Sequence, residues 1–183
     1  MRLFVSIDLD GLDGAVARAQ EPFSGIDGLR LVDPDRAHVT LKFLGDTLAG
    51  RLPDVEAALS GAVEASGVEP FEARFGGLGV FPDREYISVV WMGVREGGEA
   101  MTRLHEAIET RLTDAGFDPE DHEFMPHVTL ARMDHPGGKQ RVLELLDERD
   151  PDGGRRRVET VRLTRSTLTP DGPEYETVST VAL

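Results

Sequence analysis

One tetrapeptide occurs twice in this sequence, as His38-Val39-Thr40-Leu41 and again as His127-Val128-Thr129-Leu130, about half the chain apart. In a β-strand, residues i and i+2 share a face. Each copy therefore presents an imidazole and a hydroxyl side by side, while its Val and Leu anchor the strand in the core. Strands of this kind meeting across an approximate two-fold would set two imidazoles on one cleft, with two hydroxyls between them. That arrangement suits in-line displacement at a phosphodiester. The reaction needs a base on the entering oxygen and an acid on the leaving oxygen, on opposite sides of phosphorus. Histidine, with an ordinary pKa of about 6.5, can supply one neutral and one protonated member near neutral pH. Hydroxyls and a nearby cation would stabilise charge on the non-bridging oxygens. With the protons handled this way the chemistry requires no metal. A zinc reading is weaker, because no third ligand lies at close spacing and Thr at i+2 is a poor ligand.

The elements that must position these residues follow from the pattern. Residues 3–9 alternate Leu3, Val5, Ile7 and Leu9 against Phe4, Ser6 and Asp8, which predicts a half-buried strand. Residues 38–44 and 127–131 are the two motif strands. Residues 71–81 and 86–94 read as a hairpin turning at Phe81-Pro82-Asp83-Arg84, and residues 157–168 and 174–182 as the last two strands. Helices are expected near 13–20, after Pro53, over Met101–Leu112 and near 140–147, with Asp150–Gly154 a loop. Strands that are mostly antiparallel, with helices set against them, make an α+β fold.

Composition limits the alternatives. The 183 residues carry 34 acidic and 20 basic side chains, a formal net charge of −14. A non-specific nucleic-acid binder should be basic, so a polyanion would have to be held at a local cationic site. Only Lys42 and Lys139 are lysines, and the carboxylates are spread along the chain, as in proteins that work in high salt. With 0 cysteines, disulfides and thiolate chemistry are excluded. No apolar run is long enough to span a bilayer and no signal-peptide pattern opens the chain, so a cytoplasmic location and a single domain over 1–183 are expected.

The motifs, taken with their surroundings, resemble the 2H phosphoesterases, and most closely the RNA 2′,3′-cyclic phosphodiesterases, also called 2′-5′ RNA ligases. The likeness runs through Arg2–Asp8, His38–Gly45, Phe75–Pro82, Pro126–Arg132 and Arg165–Tyr175. It implies two pseudo-symmetric lobes with helices packed outside and the active cleft between them. It implies metal- and cofactor-free hydrolysis of an RNA 2′,3′-cyclic phosphate to a 2′-phosphate, with reversible 2′-5′ ligation as a minor activity. It makes His38 the proton donor and His127 the proton acceptor, and Thr40, Thr129 and Arg132 the phosphate contacts. RNA with a cyclic end is the expected partner, and a monomer the expected state. A small cyclic nucleotide as substrate, and a non-catalytic RNA-end binding module, are the alternatives.

Other residues divide less cleanly. Strict alternation puts Arg132 on the face opposite His127, so it reaches the cleft only if the strand ends or bulges near Ala131. Lys42 shares a face with His38 and either lines the cleft or sits solvated at a strand end, whereas Phe43 faces the core. Tyr175 reads as a half-buried strand residue that could also close the cleft rim. Arg155-Arg156-Arg157 is a cationic run, solvated or facing RNA. Gly76-Gly77-x-Gly79 reads as a bulge or a site of close packing. His105 is structural, and His122 and His135 are exposed.

Overall fold

The structure is a computed structural model that describes all of residues 1–183. It contains strands β1 (Arg2–Asp8), β2 (Leu29–Leu31), β3 (His38–Asp46), β4 (Phe71–Pro82), β5 (Ile87–Glu96), β6 (His127–Met133), β7 (Asp152–Val158), β8 (Thr160–Thr169) and β9 (Gly172–Ala182). The helices are α1 (Asp13–Gln20), α2 (Leu52–Ser66), α3 (Gly98–Asp114) and α4 (Lys139–Glu148).

All strands join one antiparallel sheet in the order β7-β4-β5-β6-β3-β1-β8-β9, with β2 attached to β6. The two motif strands, β3 and β6, lie side by side at the centre, and three strands flank each of them. This is the α+β, two-fold arrangement the sequence implied. The helices cover one side of the sheet. Pro53 opens the first turn of α2, and Gly67, at φ 64°, ends it in the left-handed region that favours glycine. Met101, Leu104, Ile108 and Leu112 recur along α3 at helical spacing and are fully buried with Leu59 of α2. Burial of each such side chain contributes roughly 1.5–3 kcal/mol over leaving it in water. The same cluster takes in Leu3, Val5, Ile7, Val39, Leu41, Val128 and Leu130, so the helix layer grips the backs of both motif strands.

Four expectations need correction. Strand β1 is buried on both faces rather than one, because it is an interior strand with Phe4 and Ser6 covered on the cleft side as well. The long strand expected at 157–168 is two strands broken at Glu159, and Asp152–Gly154 belongs to β7 rather than to a loop. Gly153 is the extra residue at the register shift between β7 and β4, and it packs closely, since a Cβ there would fall 2.5 Å from the Met92 side chain and 2.9 Å from Phe75 Cβ. Strand β2 was not foreseen, being only 3 residues long. The Arg155-Arg156-Arg157 run is neither free nor in a loop. It lies on edge strand β7, with Arg155 paired to Glu96, Arg156 to Asp10 and Arg157 to Glu72 and Glu159. No helix is long and apolar enough to cross a membrane.

Candidate active site

The motif strands touch at one antiparallel register pair, Val39 with Val128. Antiparallel register carried through that pair sets His38 abreast of Thr129 and Thr40 abreast of His127. Val39, Leu41, Val128 and Leu130 point into the helix layer, which leaves both His-Thr pairs on the opposite, concave face.

Both rings are held alike. His38 Nδ1 lies 2.8 Å from the Arg36 carbonyl, and His127 Nδ1 lies 2.7 Å from the Met125 carbonyl. A carbonyl can only accept, so each Nδ1 carries the proton and donates it. Each Nε2 is thereby left for chemistry. Aromatic rings wedge the imidazoles in place. Phe4 and Tyr175 sit 5.0 and 5.5 Å from His38, and Phe81 lies 4.8 Å from His127 with Trp91 behind it at 6.2 Å. Gly79 makes room for Trp91, since a Cβ there would fall 2.1 Å from the indole ring. Gly77, at φ 75°, sits at a register shift in β4, so the glycine run is both a bulge and a close approach.

Burial pushes both imidazoles below the ordinary histidine range, and the two carbonyl contacts oppose it. Their charged neighbours differ. The Asp8 carboxylate favours the protonated form of His38, while Arg132 disfavours it. His127 feels only cations, namely His38, Arg132 and His122, all of which favour its neutral form. Asp8 is fixed as the Cα partner of His38 across β1 and β3, accepting from Ser6 Oγ at 3.0 Å and from Arg162. A cavity of about 200 Å³ opens beside His38, lined in part by Phe4, Asp8, Arg36, Arg162 and Tyr175.

Alternation fails at the same place in each motif. On β3, Val5 pairs with Lys42 and Ser6 with Thr40, so Leu41 is an extra residue; on β6, Val90 pairs with Ala131 and Trp91 with Thr129, so Leu130 is extra. Each is a β-bulge, and both strands show the same burial sequence as a result. Beyond the bulge the faces exchange. Arg132 returns to the cleft side with His127 and Thr129. Phe43, expected in the core, stands on the cleft side, 59% exposed and 6.2 Å from Phe4. Lys42, expected on the cleft side or in solvent, is 1% exposed; its Nζ lies 2.6 Å from Glu109 and 3.0 Å from the Asp118 carbonyl. Asp8, Phe4 and Phe43 were not singled out from the sequence as site residues. The only hint was that Asp8 shares a face with Phe4 and Ser6. His105 is buried on α3, and His122 and His135 are exposed on loops.

Fold and site together define a 2H phosphoesterase, built around two His-x-Thr-x strands on one cleft. More particularly, the chain belongs to the 2′-5′ RNA ligase superfamily, whose family model matches residues 11–168. It is 38% identical over 178 residues to a Methanothermobacter thermautotrophicus protein named RNA 2′,3′-cyclic phosphodiesterase, covering 96% of this chain and 95% of that one. A Methanocaldococcus jannaschii protein of the same name is 30% identical over 181 residues, covering 97% and 98%. Among solved structures, a Thermus thermophilus protein superposes with a TM-score of 0.83 at 30% identity, covering 100% of this chain and 98% of that one. E. coli LigT, solved with 3′-AMP, superposes at 0.79 with 21% identity over 100% and 97%, a likeness of fold.

Proposed function

We propose that the protein, acting through all 183 residues as one two-lobed unit, hydrolyses RNA 2′,3′-cyclic phosphodiester ends to 2′-phosphomonoesters. The observation that carries this reading is the Val39–Val128 register pair, which brings two imidazoles with unengaged Nε2 atoms to one cleft. The names of the curated relatives support the substrate class. Water attacks phosphorus while His127 Nε2 takes its proton. The P–O3′ bond breaks, and the 3′ oxygen receives the proton from His38 Nε2. The electrostatics support this division of roles, because Asp8 favours a charged His38 and the cations around His127 favour a neutral one. Thr40, Thr129 and Arg132 bind the non-bridging oxygens as charge builds on them. The residues need no metal for any of these steps. If a 5′-hydroxyl replaces water as the attacking group, the same proton transfers yield a 2′-5′ linkage. The exposed ring of Phe43, with Phe4 and Tyr175, offers a stacking surface for a base beside His38.

The test is turnover of a 2′,3′-cyclic-phosphate oligoribonucleotide with EDTA present, for wild type, His38→Ala and His127→Ala. The reading expects wild-type activity and a loss of at least about a hundredfold in each variant. Turnover that persists in both variants defeats the two-histidine mechanism. Tight binding without turnover in the wild type would mean a binding module.

A further inference from the structure

The two bulges decide what faces the cleft beyond each motif, and each is gripped by one buried donor from a helix. Gln20, the last residue of α1 and 4% exposed, places Nε2 2.7 Å from the Val32 carbonyl and 3.0 Å from the Leu130 carbonyl. Both partners are acceptors, so the amide orientation is settled by chemistry. His105 of α3 places Nδ1 2.7 Å from the Leu41 carbonyl, and its ring stacks on Phe124 at 4.2 Å and 8°. Leu41 and Leu130 are the extra residues themselves. The grips cross over. Helix α1 precedes β3 in the chain but holds the bulge of β6, and α3 precedes β6 but holds the bulge of β3.

We propose that Gln20 and His105 are positioning residues whose N–H groups hold the bulges at Leu130 and Leu41, and so keep Arg132 and Phe43 on the cleft face. The physical reason is parity. Losing a bulge shifts the following residues by one position and sends each to the opposite face. On β3 such a slip would also pull Lys42 from its buried contacts with Glu109 and the Asp118 carbonyl, a second anchor against it. On β6 the equivalent residue is Ala131, which has no polar side chain to anchor. The Leu130 carbonyl does accept from the Val32 N–H at 3.0 Å, and Gln20 ties both of those residues together. Gln20 is therefore the more consequential of the two. Substrate handling through Arg132 rests on the function proposed above; the face that Arg132 occupies does not.

The test compares Gln20→Leu, Gln20→His, Arg132→Ala and the double variant Gln20→Leu/Arg132→Ala. KM and kcat are measured on a 2′,3′-cyclic-phosphate oligoribonucleotide, and a crystal structure is solved for Gln20→Leu. Gln20→Leu should raise KM about tenfold or more, matching Arg132→Ala, as expected for loss of one charge-assisted contact. The double variant should be no worse than Arg132→Ala by more than about twofold. Gln20→His, which restores an N–H donor of the kind α3 uses, should return KM to within about threefold of wild type. In the crystal structure of Gln20→Leu, Arg132 should lie on the helix side of β6. Effects of Gln20→Leu and Arg132→Ala that multiply, no recovery in Gln20→His, or Arg132 still facing the cleft would each overturn the proposal. If Gln20→Leu does not fold, Gln20→Asn, which keeps the amide but shortens its reach, carries the same comparison. A wild type without turnover would defeat the proposed function, and the crystal structure would still decide the clamp. His105→Leu, with His105→Gln as its rescue, is read in the same way from the face that Phe43 occupies.

Discussion

Val39 and Val128 face each other as Cα partners, the one register pair joining β3 to β6. They are the second residues of the two motifs, so the local two-fold passes between them. A histidine and a threonine from opposite halves of the chain then meet on each side of it. Residues with no chemistry of their own thus set the spacing of the site.

The charge on Asp8 has a readable effect on pH dependence. Burial lowers both histidines, so the activity bell should centre on the acid side of the ordinary histidine range, about 6.5. Asp8 opposes that lowering at His38. Asp8→Asn should lower the His38 pKa further, and the acid would be lost earlier as pH rises. The alkaline limb of the kcat profile therefore moves to lower pH, while the acid limb, set by His127, shifts less. A profile unchanged in Asp8→Asn would contradict this assignment.

Thr40 and Thr129 should act on the transition state more than on the ground state. Thr40→Val and Thr129→Val keep the β-branched shape of the strand and remove only the hydroxyl. Each should lower kcat about tenfold, equivalent to about 1.4 kcal/mol, with a smaller change in KM. Steady-state kinetics on the cyclic-ended oligoribonucleotide would show it.

Phe43 should matter for substrate length. Loss of one stacked base costs about 1–3 kcal/mol. Phe43→Ala should raise KM for an oligoribonucleotide at least fivefold or so while changing little on a cyclic phosphate with no base, such as ribose 2′,3′-cyclic phosphate. Equal effects on both substrates would place the stacking surface elsewhere.

Lys42 and Glu109 form a pair in which the cation is wholly buried and the carboxylate is about one-fifth exposed. Lys42→Met should destabilise the fold by about 1–3 kcal/mol, because Glu109 then loses its cation in a partly desolvated site and keeps only the Glu120 N–H. Burial raises the Glu109 pKa, but the hydrogen bonds and charge of Lys42 and the Glu120 N–H outweigh it, so the carboxyl sits below its ordinary range. Glu109 therefore contributes stability at neutral pH that is lost as pH falls through the carboxylate range, and Lys42→Met should flatten that part of the curve. Urea denaturation at pH 7 and pH 4 would check both statements.

Gly79 is held open by packing. Gly79→Ala should displace Trp91 and, through it, disturb His127, because the added Cβ would overlap the indole. Trp91 is the 1 tryptophan in the chain, so its intrinsic fluorescence reports the shift directly. A spectrum and kcat both like wild type would contradict the packing argument.

Much of this was legible in the residues themselves. The faces of His38, Thr40, His127 and Thr129 follow from alternation alone, and so does the burial of the valines and leucines between them. Most helix positions follow from periodicity and from Pro53 and Gly67. The errors concentrate where one strand must be read against another. Alternation alone puts Phe43 in the core, leaves Lys42 either on the cleft or solvated at a strand end, and brings Arg132 to the cleft only through a bulge. Strand β1 reads as half-buried in isolation and becomes buried on both faces once β3 and β8 flank it.

By itself, then, the sequence determined that two strands would each carry an imidazole and a hydroxyl on one face, and hence what kind of proton chemistry the protein could do. Tertiary structure alone decided that these strands would be neighbours, and which way Lys42, Phe43 and Arg132 would turn. Alternation is local to one strand, whereas a bulge exists only in the register between two. A single extra residue at Leu41 or Leu130 reverses every face after it, and nothing within either strand announces it.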